Sequence, residues 1–393
     1  MTELSWREKG KAAIRAWQQE RRIRMEQAEY EAAAAKQGIR VLEGESLVAA
    51  LRERLESRRA EIPESGPLHT LIATNLDIWE EHNLLPALRQ LGPLTVFNIK
   101  ERDLRPFTPQ WKDDRKALNA DLTAFARQRH AERPFHLFVT CATGYAFVRD
   151  TIDAVGDLGI ATCGYFWDDR LIFRGDRYEG QWTGPASIAA SFDLCLTNSS
   201  ASRIKYFVEG GRALFWPLGA NPDVFAPVET SRDIPVSFVG AAYGARPIWI
   251  ERLRKRGVEV LTEGPGWPSG PVSLARMIEV YSRSRICLGF SGVGYSMREF
   301  CLKGRDIEVP MAGTVYLTPR QPDLSLVFDV GTEVLAFDGL DDCVRQIREL
   351  LDQPERCERI RQAARERGLR DHTWAKRFDD LVSLLRRASR RAS

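Results

Sequence analysis

The stretch "FHLFVTCATGYAFVRDTIDAVGDLGIATCGYF", residues 135–166, decides the fold. It opens on an apolar run rich in Phe and Val, passes through an amphipathic segment around 145–159, and closes on a second apolar run. Runs that are apolar at nearly every position are strands covered on both faces. The amphipathic segment between them is the crossover helix that parallel neighbours require. The same unit repeats outward in both directions. "LHTLIAT" leads through "NLLPALRQLG" to "LTVFNI" on one side, and "FDLCLTNS" leads through "SASRIKYFVEGG" to "ALFWPLG" on the other. The spacing predicts a parallel, Rossmann-like sheet.

A proline-bearing polar segment, "NPDVFAPVETSRDIP", interrupts the pattern, and "VSFVGAAYG" starts a second series. "VEVLTEG", "RICLGFS", "GTVYLT" and "EVLAFDG" supply its later strands, with helices at 273–284 and 340–351, so a domain boundary falls near 226–235. The expectation is an α/β chain of two Rossmann-like doubly wound domains, with a cleft lined by the C-terminal ends of strands from both sheets.

Length and composition agree with two domains: 393 residues, 44% apolar and 28% charged, bury sizeable cores. The first twenty residues hold no apolar stretch like a signal h-region, and no run approaches the ~20 apolar residues that span a bilayer, so a cytoplasmic protein without a membrane span is expected. Seven cysteines, with no CxxC pair, read as buried thiols. A net charge of +3 does not announce nucleic-acid binding.

Both ends differ from the middle. Residues 3–36 carry no Gly between 11 and 37 and no Pro before 63, which favours a long polar helix. In "ESLVAALRERLESRRAE", Ser46 is a plausible N-cap ahead of Leu47, Leu51 and Leu55 at helical spacing. Residues 1–62 therefore read as a helical arm, either solvated and packed on the main body or forming homo-oligomers through its helices. Residues 376–393 read as a helix and a basic tail, "RRASRRAS".

Two stretches of the second domain carry chemistry. In "VSFVGAAYGARPIWIERL", Gly240 and Gly244 let backbone N–H groups approach an anion at a helix start, and Arg246 offers a forked donor to a phosphate. A plain strand-to-helix turn would look the same, and neither a Walker A nor a GxGxxG pattern is present. In "KGRDIEVPMAGTVYLT", residues 303–318, Glu308 can accept hydrogen bonds from two vicinal ribose hydroxyls, and Lys303 or Arg305 can balance phosphate charge. Gly313 and Thr314 would bring backbone close beneath the ligand. The plainer alternative is a helical i,i+3 pair of Arg305 and Glu308.

These residues, with "DLSLVFDVGTEVLAFDGLDDCVRQIRELL" and "HTWAKRFDDLV", resemble the C-terminal domain of the spore-coat CgeB-like glycosyltransferases of the GT-B superfamily. That family usually reads R-x-F-E followed by a small-residue turn with Gly, and Arg305, Glu308 and Gly313 match it. Pro217, Gly219, Asp223, Phe225 and Pro227 in "FWPLGANPDVFAP" match the segment that closes the first domain of many GT-B chains. Related retaining enzymes carry another Glu eight residues before the ribose-binding one. Position 300 here is Phe, and the nearest acid is Glu299.

The resemblance implies an acceptor domain at 63–230 and a nucleotide-sugar donor domain at 231–375. It also implies a nucleotide-diphosphate sugar as co-substrate, and charge neutralisation by Arg, Lys and helix dipoles instead of an obligatory metal. The acceptor would be a glycan, a protein or a small molecule. Candidate catalytic carboxylates of the first domain are Asp168, foremost, and Asp77, with His82 and Asp169 beside them. His372, near Trp374, reads as packing. Two other functions share this pattern: a nucleotide-sugar epimerase of the same architecture, and a non-catalytic nucleotide-sugar-binding or scaffold protein.

Overall fold

The computed structural model describes residues 6–102, 104, 108–178 and 180–390; the last three residues of the basic tail and residues 3–5 of the expected first helix lie outside them. The chain divides into two compact units. One comprises Met25–Pro217 with Arg377–Ser393, the other Met1–Arg24 with Leu218–Lys376.

The chain opens with α1 (Trp6–Gln37) and α2 (Gly44–Ser57), then continues through β1 (Thr70–Thr74), α3 (Leu85–Leu91), β2 (Leu94–Asn98), α4 (Trp111–Glu132) and β3 (Leu137–Thr140). Next come α5 (Arg149–Gly156), β4 (Ala161–Phe166), α6 (Asp169–Ile172), a small hairpin of β5 (Arg177–Tyr178) and β6 (Gln181–Trp182), β7 (Leu194–Thr197), α7 (Arg203–Val208) and β8 (Ala213–Phe215). Six of these strands form one parallel sheet in the order β2-β1-β3-β4-β7-β8. Each apolar run read from the sequence is a strand. β1, β3, β4 and β7 are buried along their whole length.

The helical arm is part of this unit's core. Leu47, Val48, Leu51 and Leu55 of α2 are buried, and the buried Arg58 bonds Asp153 Oδ1 at 2.5 Å and Ser191 O at 2.9 Å. From Met25 onward α1 packs here too. Tyr30 meets Phe173 edge-on at 5.3 Å, and the fully buried Lys205 pairs with Glu26 at 2.8 Å. The arm thus packs on the main body, but the side chains that do so are interior and not solvated. Ser46 is also not the N-cap of α2. Glu43 holds that position, and its N–H donates to Ser46 Oγ at 3.2 Å.

The second unit continues with β9 (Ile234–Val239), α8 (Arg246–Lys255), β10 (Leu261–Glu263), α9 (Leu274–Arg283), β11 (Ser284–Leu288), α10 (Gly304–Met311), β12 (Val315–Pro319), β13 (Leu335–Phe337), α11 (Leu340–Leu351), α12 (Pro354–Asp371) and the start of α13 (Trp374–Ser389). Its five strands are parallel in the order β10-β9-β11-β12-β13. The residues of α13 from Arg377 belong with the first sheet. The seven cysteines are free thiols, six of them buried. Among the described residues no helix is long and apolar enough to cross a membrane.

Candidate functional site

In a parallel sheet, loops that follow the strands gather at the C-terminal edge. In the second unit three such segments come together: the loop 240–245 after β9, the loop 289–303 after β11, and the first turn of α10. Arg305 joins them. Its Nε donates to Val239 O at 2.8 Å, and its guanidinium lies 4.8 Å from the centre of the Phe238 ring. A Cβ on Gly240 would stand 2.1 Å from Arg305 Nη2. Gly240 takes φ +151°, a conformation that favours glycine, and a Cβ there would also crowd the end of the Arg305 side chain; its N–H is engaged, donating to Glu263 O at 2.8 Å. The Gly240 amide itself is therefore not among the N–H groups that could turn to an anion at this helix start.

Glu308 lies one turn into α10, 7% exposed. Its side chain folds back over the helix start, where a Cβ on Gly304 would meet Glu308 Oε1 at 2.7 Å. A carboxylate is thus held at a helix N-terminus beside the Arg305 guanidinium. That set can accept from vicinal hydroxyls and donate to an anion.

What fixes the start of α10 is Asp306. This fully buried carboxylate accepts from the Lys303 N–H at 2.6 Å, Ser291 Oγ at 2.7 Å and Tyr316 Oη at 2.6 Å. Burial pushes its pKa up, against those hydrogen bonds and the charge of Arg305. Asp306 ties α10 to the loop after β11 and to β12, so it is the residue of this segment that builds the site, although the motif leaves its position free. Lys303 is the N-cap residue.

Arg246 is the first residue of α8, 7% exposed, with its ring-side face 4.1 Å from the centre of Tyr243. Its Nη1 donates to Ala241 O at 3.1 Å and its Nη2 to Phe290 O at 3.3 Å. The guanidinium expected to clamp a phosphate instead braces two loops through their carbonyls. Gly244, at φ +63°, sits where a Cβ would be 2.3 Å from Gly294 O, which lets the loop after β11 close on the loop after β9.

Gly313 and Thr314 lie elsewhere. Gly313, at φ +68°, ends α10, with its N–H donating to Pro310 O at 3.0 Å, and a Cβ there would come no nearer than 3.7 Å to Arg365. Thr314 Oγ1 is buried on Tyr281 O at 2.6 Å. Both precede β12 and so stand at the N-terminal edge of the sheet, whereas Gly240 and Arg305 are at the C-terminal edge. This corrects the expectation that Gly313 and Thr314 underlie the ligand.

The first-unit candidates also follow strands. Asp77 follows β1 and Asp168 follows β4. β3 separates these strands, so their ends are about 10 Å apart at ~4.8 Å per strand. Asp168 holds φ +60°, an uncommon conformation for a residue with a Cβ. Asp77 Oδ1 accepts from the Trp79 N–H at 2.9 Å. Asp77 forms a carboxyl pair with Glu80, which sequence reasoning missed. Burial, with the hydrogen bond and charge of Asp77, pushes the Glu80 pKa up to about 8, and the hydrogen bond from Glu80 holds Asp77 down. Asp169 is fully buried, accepting from Tyr206 Oη at 2.6 Å, and burial raises its pKa. His82 is exposed. His372 is buried, its Nε2 2.6 Å from Val327 O and its ring against Phe328, in agreement with packing.

A cavity of about 750 Å³ opens between α1 and α8, with Trp17, Glu20, Trp249, Arg252, Tyr295 and Arg298 in its wall. Neither Arg305 nor Glu308 lines it. Among the described residues, no group of three or more His, Cys, Asp or Glu side chains is placed to hold a metal ion.

Residues 246–383 match the model of the glycosyl transferase-like family, a span that contains all of α8–α12. The chain resembles a glycosyltransferase from Rickettsia africae, at 9% identity and a TM-score of 0.58, over 84% of this chain and all of that one. It also resembles a sucrose-phosphate synthase from Thermosynechococcus elongatus, at 14% identity and a TM-score of 0.55, over 80% and 98%. The chain has the GT-B fold. A further GT-B likeness is Anabaena HepE, solved in complex with UDP and glucose, at 10% identity and a TM-score of 0.52, over 80% and 98%. No curated protein matches the sequence.

Proposed function

We propose that this GT-B chain is a glycosyltransferase that moves a sugar from a nucleotide-diphosphate donor to an acceptor hydroxyl. The observation that carries the proposal is the Glu308 carboxylate, buried and folded over Gly304 at the start of α10, with Arg305 alongside and reaching Val239 O. Glu308 accepts from the two ribose hydroxyls. Arg305, Lys303 and the α10 N-terminus offset the charge that grows on the leaving diphosphate, so no divalent metal is required. Asp168 is the proposed acceptor-side base, held in place by its left-handed backbone, with Asp77 as the second carboxylate of that edge. Structural likeness to HepE, a protein solved with UDP, favours uridine diphosphate as the first probe. Within the superfamily, the segment Arg305–Glu308 and the turn at Gly313 support the CgeB-like family.

The test is calorimetric titration with UDP, GDP and TDP and with their glucose conjugates, followed by product analysis with and without EDTA. Binding of at least one nucleoside diphosphate, and transfer that persists in EDTA, are expected. A chain that binds none of them is not a nucleotide-sugar transferase.

A further inference from the structure

The loop 289–303 carries Gly289, Gly292 and Gly294 and joins β11 to Lys303, Arg305 and Glu308. A segment with three glycines loses much backbone freedom when ordered, so something must hold it. Within the second unit, the first half of α1 does. The Tyr295 N–H donates to Gln19 Oε1 at 2.7 Å, and Ser296 Oγ donates to Glu20 Oε1 at 2.7 Å. Arg24 Nε donates to Glu299 Oε1 at 2.8 Å, and Arg15 Nη1 reaches Tyr295 Oη at 3.2 Å.

The contact is close on both sides. A Cβ on Gly294 would meet Gln19 Nε2 at 2.3 Å, and a Cβ on Gly244 would meet Gly294 O at 2.3 Å. Gly294 is therefore pressed between α1 and the loop after β9. Ser296 Oγ, while donating to Glu20, accepts from the Arg298 and Glu299 N–H groups at 2.9 Å each, so the tip is folded around the atom that α1 holds. At its base the loop is tied to α10 through Ser291 and Asp306 at 2.7 Å.

We infer that residues 15–24 of α1 are a strap that completes the donor site. Gln19, Glu20 and Arg24 are positioning residues that set loop 293–299 against Gly244 and thereby the approach to Arg305 and Glu308. Glu299, the acid nearest to the position where related enzymes carry their extra Glu, is committed to Arg24 and 4% exposed. It serves as the anchor of the strap. The inference rests on the donor site proposed above.

The test uses the full chain with Gln19→Ala, Arg24→Ala, Arg24→Lys and Glu299→Gln. Hydrogen exchange of the amides 293–299 is measured without ligand, and UDP and UDP-glucose affinities are measured by calorimetry, with GDP and TDP and their glucose conjugates used likewise if those are what the wild type binds. Gln19→Ala and Arg24→Ala are expected to speed exchange at 293–299 at least tenfold and to weaken nucleotide-sugar binding about tenfold. Exchange in β9, β11 and β12 should stay as in the wild type, and Arg24→Lys should recover part of the loss. Adding Glu299→Gln to Arg24→Ala should cost nothing further. Faster loop exchange with nucleotide-sugar affinity within twofold of wild type leaves the strap purely structural and overturns the inference while the donor site stands. A wild-type chain that binds none of the nucleotides overturns both.

Discussion

Gly304→Ala separates the donor-site reading from a role in folding, because its effects on stability and binding have opposite signs. Gly304 has no positive φ, so alanine fits its backbone, and replacing glycine in a helix contributes about 0.4–1 kcal/mol of stability. The added Cβ, however, stands 2.7 Å from Glu308 Oε1 and 3.1 Å from its carboxyl carbon. The clash is with the end of a flexible side chain, so the carboxylate moves while the helix stays. Reaching an ordinary contact of 3.4 Å takes a shift of about 0.7 Å, enough to carry a hydrogen bond of ~2.7–3.0 Å outside bonding range. Losing a charge-assisted bond costs about 1.5–3 kcal/mol, or roughly 10- to 150-fold in Kd at ~1.4 kcal/mol per tenfold. Glu308→Gln should give a loss of the same order with Tm near that of the wild type. Thermal unfolding and calorimetry on the two variants provide the comparison. Unchanged nucleotide Kd in both removes Glu308 from the site; lower Tm with lower affinity in both makes it a folding residue.

Arg305→Ala is expected to weaken a nucleoside diphosphate more than the bare nucleoside. Arg246→Ala, which removes the guanidinium that donates to Ala241 O and Phe290 O, should lower Tm and reduce both affinities equally; a phosphate-selective loss at Arg246 would restore it as a clamp. Glu80, with its pKa raised from 4.5 to about 8, contributes stability that is fully present below pH 4.5 and lost as pH rises through 8. Glu80→Gln should therefore remove that loss, so that the wild-type Tm falls relative to the variant between pH 5 and 8.5; parallel Tm curves would mean that Glu80 carries no proton in this range. Deleting residues 1–62 uncovers the pocket filled by Leu47, Leu51 and Leu55 and breaks the Arg58 bonds, so an insoluble chain is expected, and a soluble, nucleotide-binding product would show that the arm is dispensable.

The strands were legible because a parallel strand buried on both faces must be apolar at nearly every position, and "HLFVT" or "DLCLT" has no other economical reading. The ends of α1 and α2 were less so. In α2 residue type points to Ser46 as the cap, but the Glu43 N–H uses the serine hydroxyl from three residues away, and the helix starts three residues earlier than such a cap would place it. The role of Gln19, Glu20 and Arg24 left no local signal. On a polar helix they look like a solvated face, and only their contacts with residues 295–299 give them meaning. Gly240 shows the same limit. A glycine after a strand suggests an anion cradle, yet here it takes φ +151° next to a guanidinium that arrives from position 305.

Residues 303–314 do not share one edge of the sheet, for a reason that topology supplies. Arg305, Glu308, Gly313 and Thr314 are close in sequence, and in a loop they could all touch one ligand. They are instead distributed along α10, an eight-residue helix whose rise is about 12 Å, and in a parallel sheet such a helix carries the chain from the C-terminal edge back to the N-terminal one. Its first turn must then belong to the ligand edge, and its last turn to the opposite edge. Glu308, whose side chain leans toward the helix N-terminus as helical side chains do, still reaches back to Gly304. Gly313 and Thr314 are past the end. The family's Gly after R-x-F-E is accordingly a helix stop here: it takes φ +68°, lets Arg232 donate to its carbonyl at 2.9 Å, and delivers the chain into β12. Gly313→Ala should therefore strain that left-handed turn and lower Tm, while nucleotide affinity, measured well below the melting transition, stays within about twofold of wild type. A selective loss of affinity at unchanged Tm would return Gly313 to the ligand and overturn this assignment of the two edges.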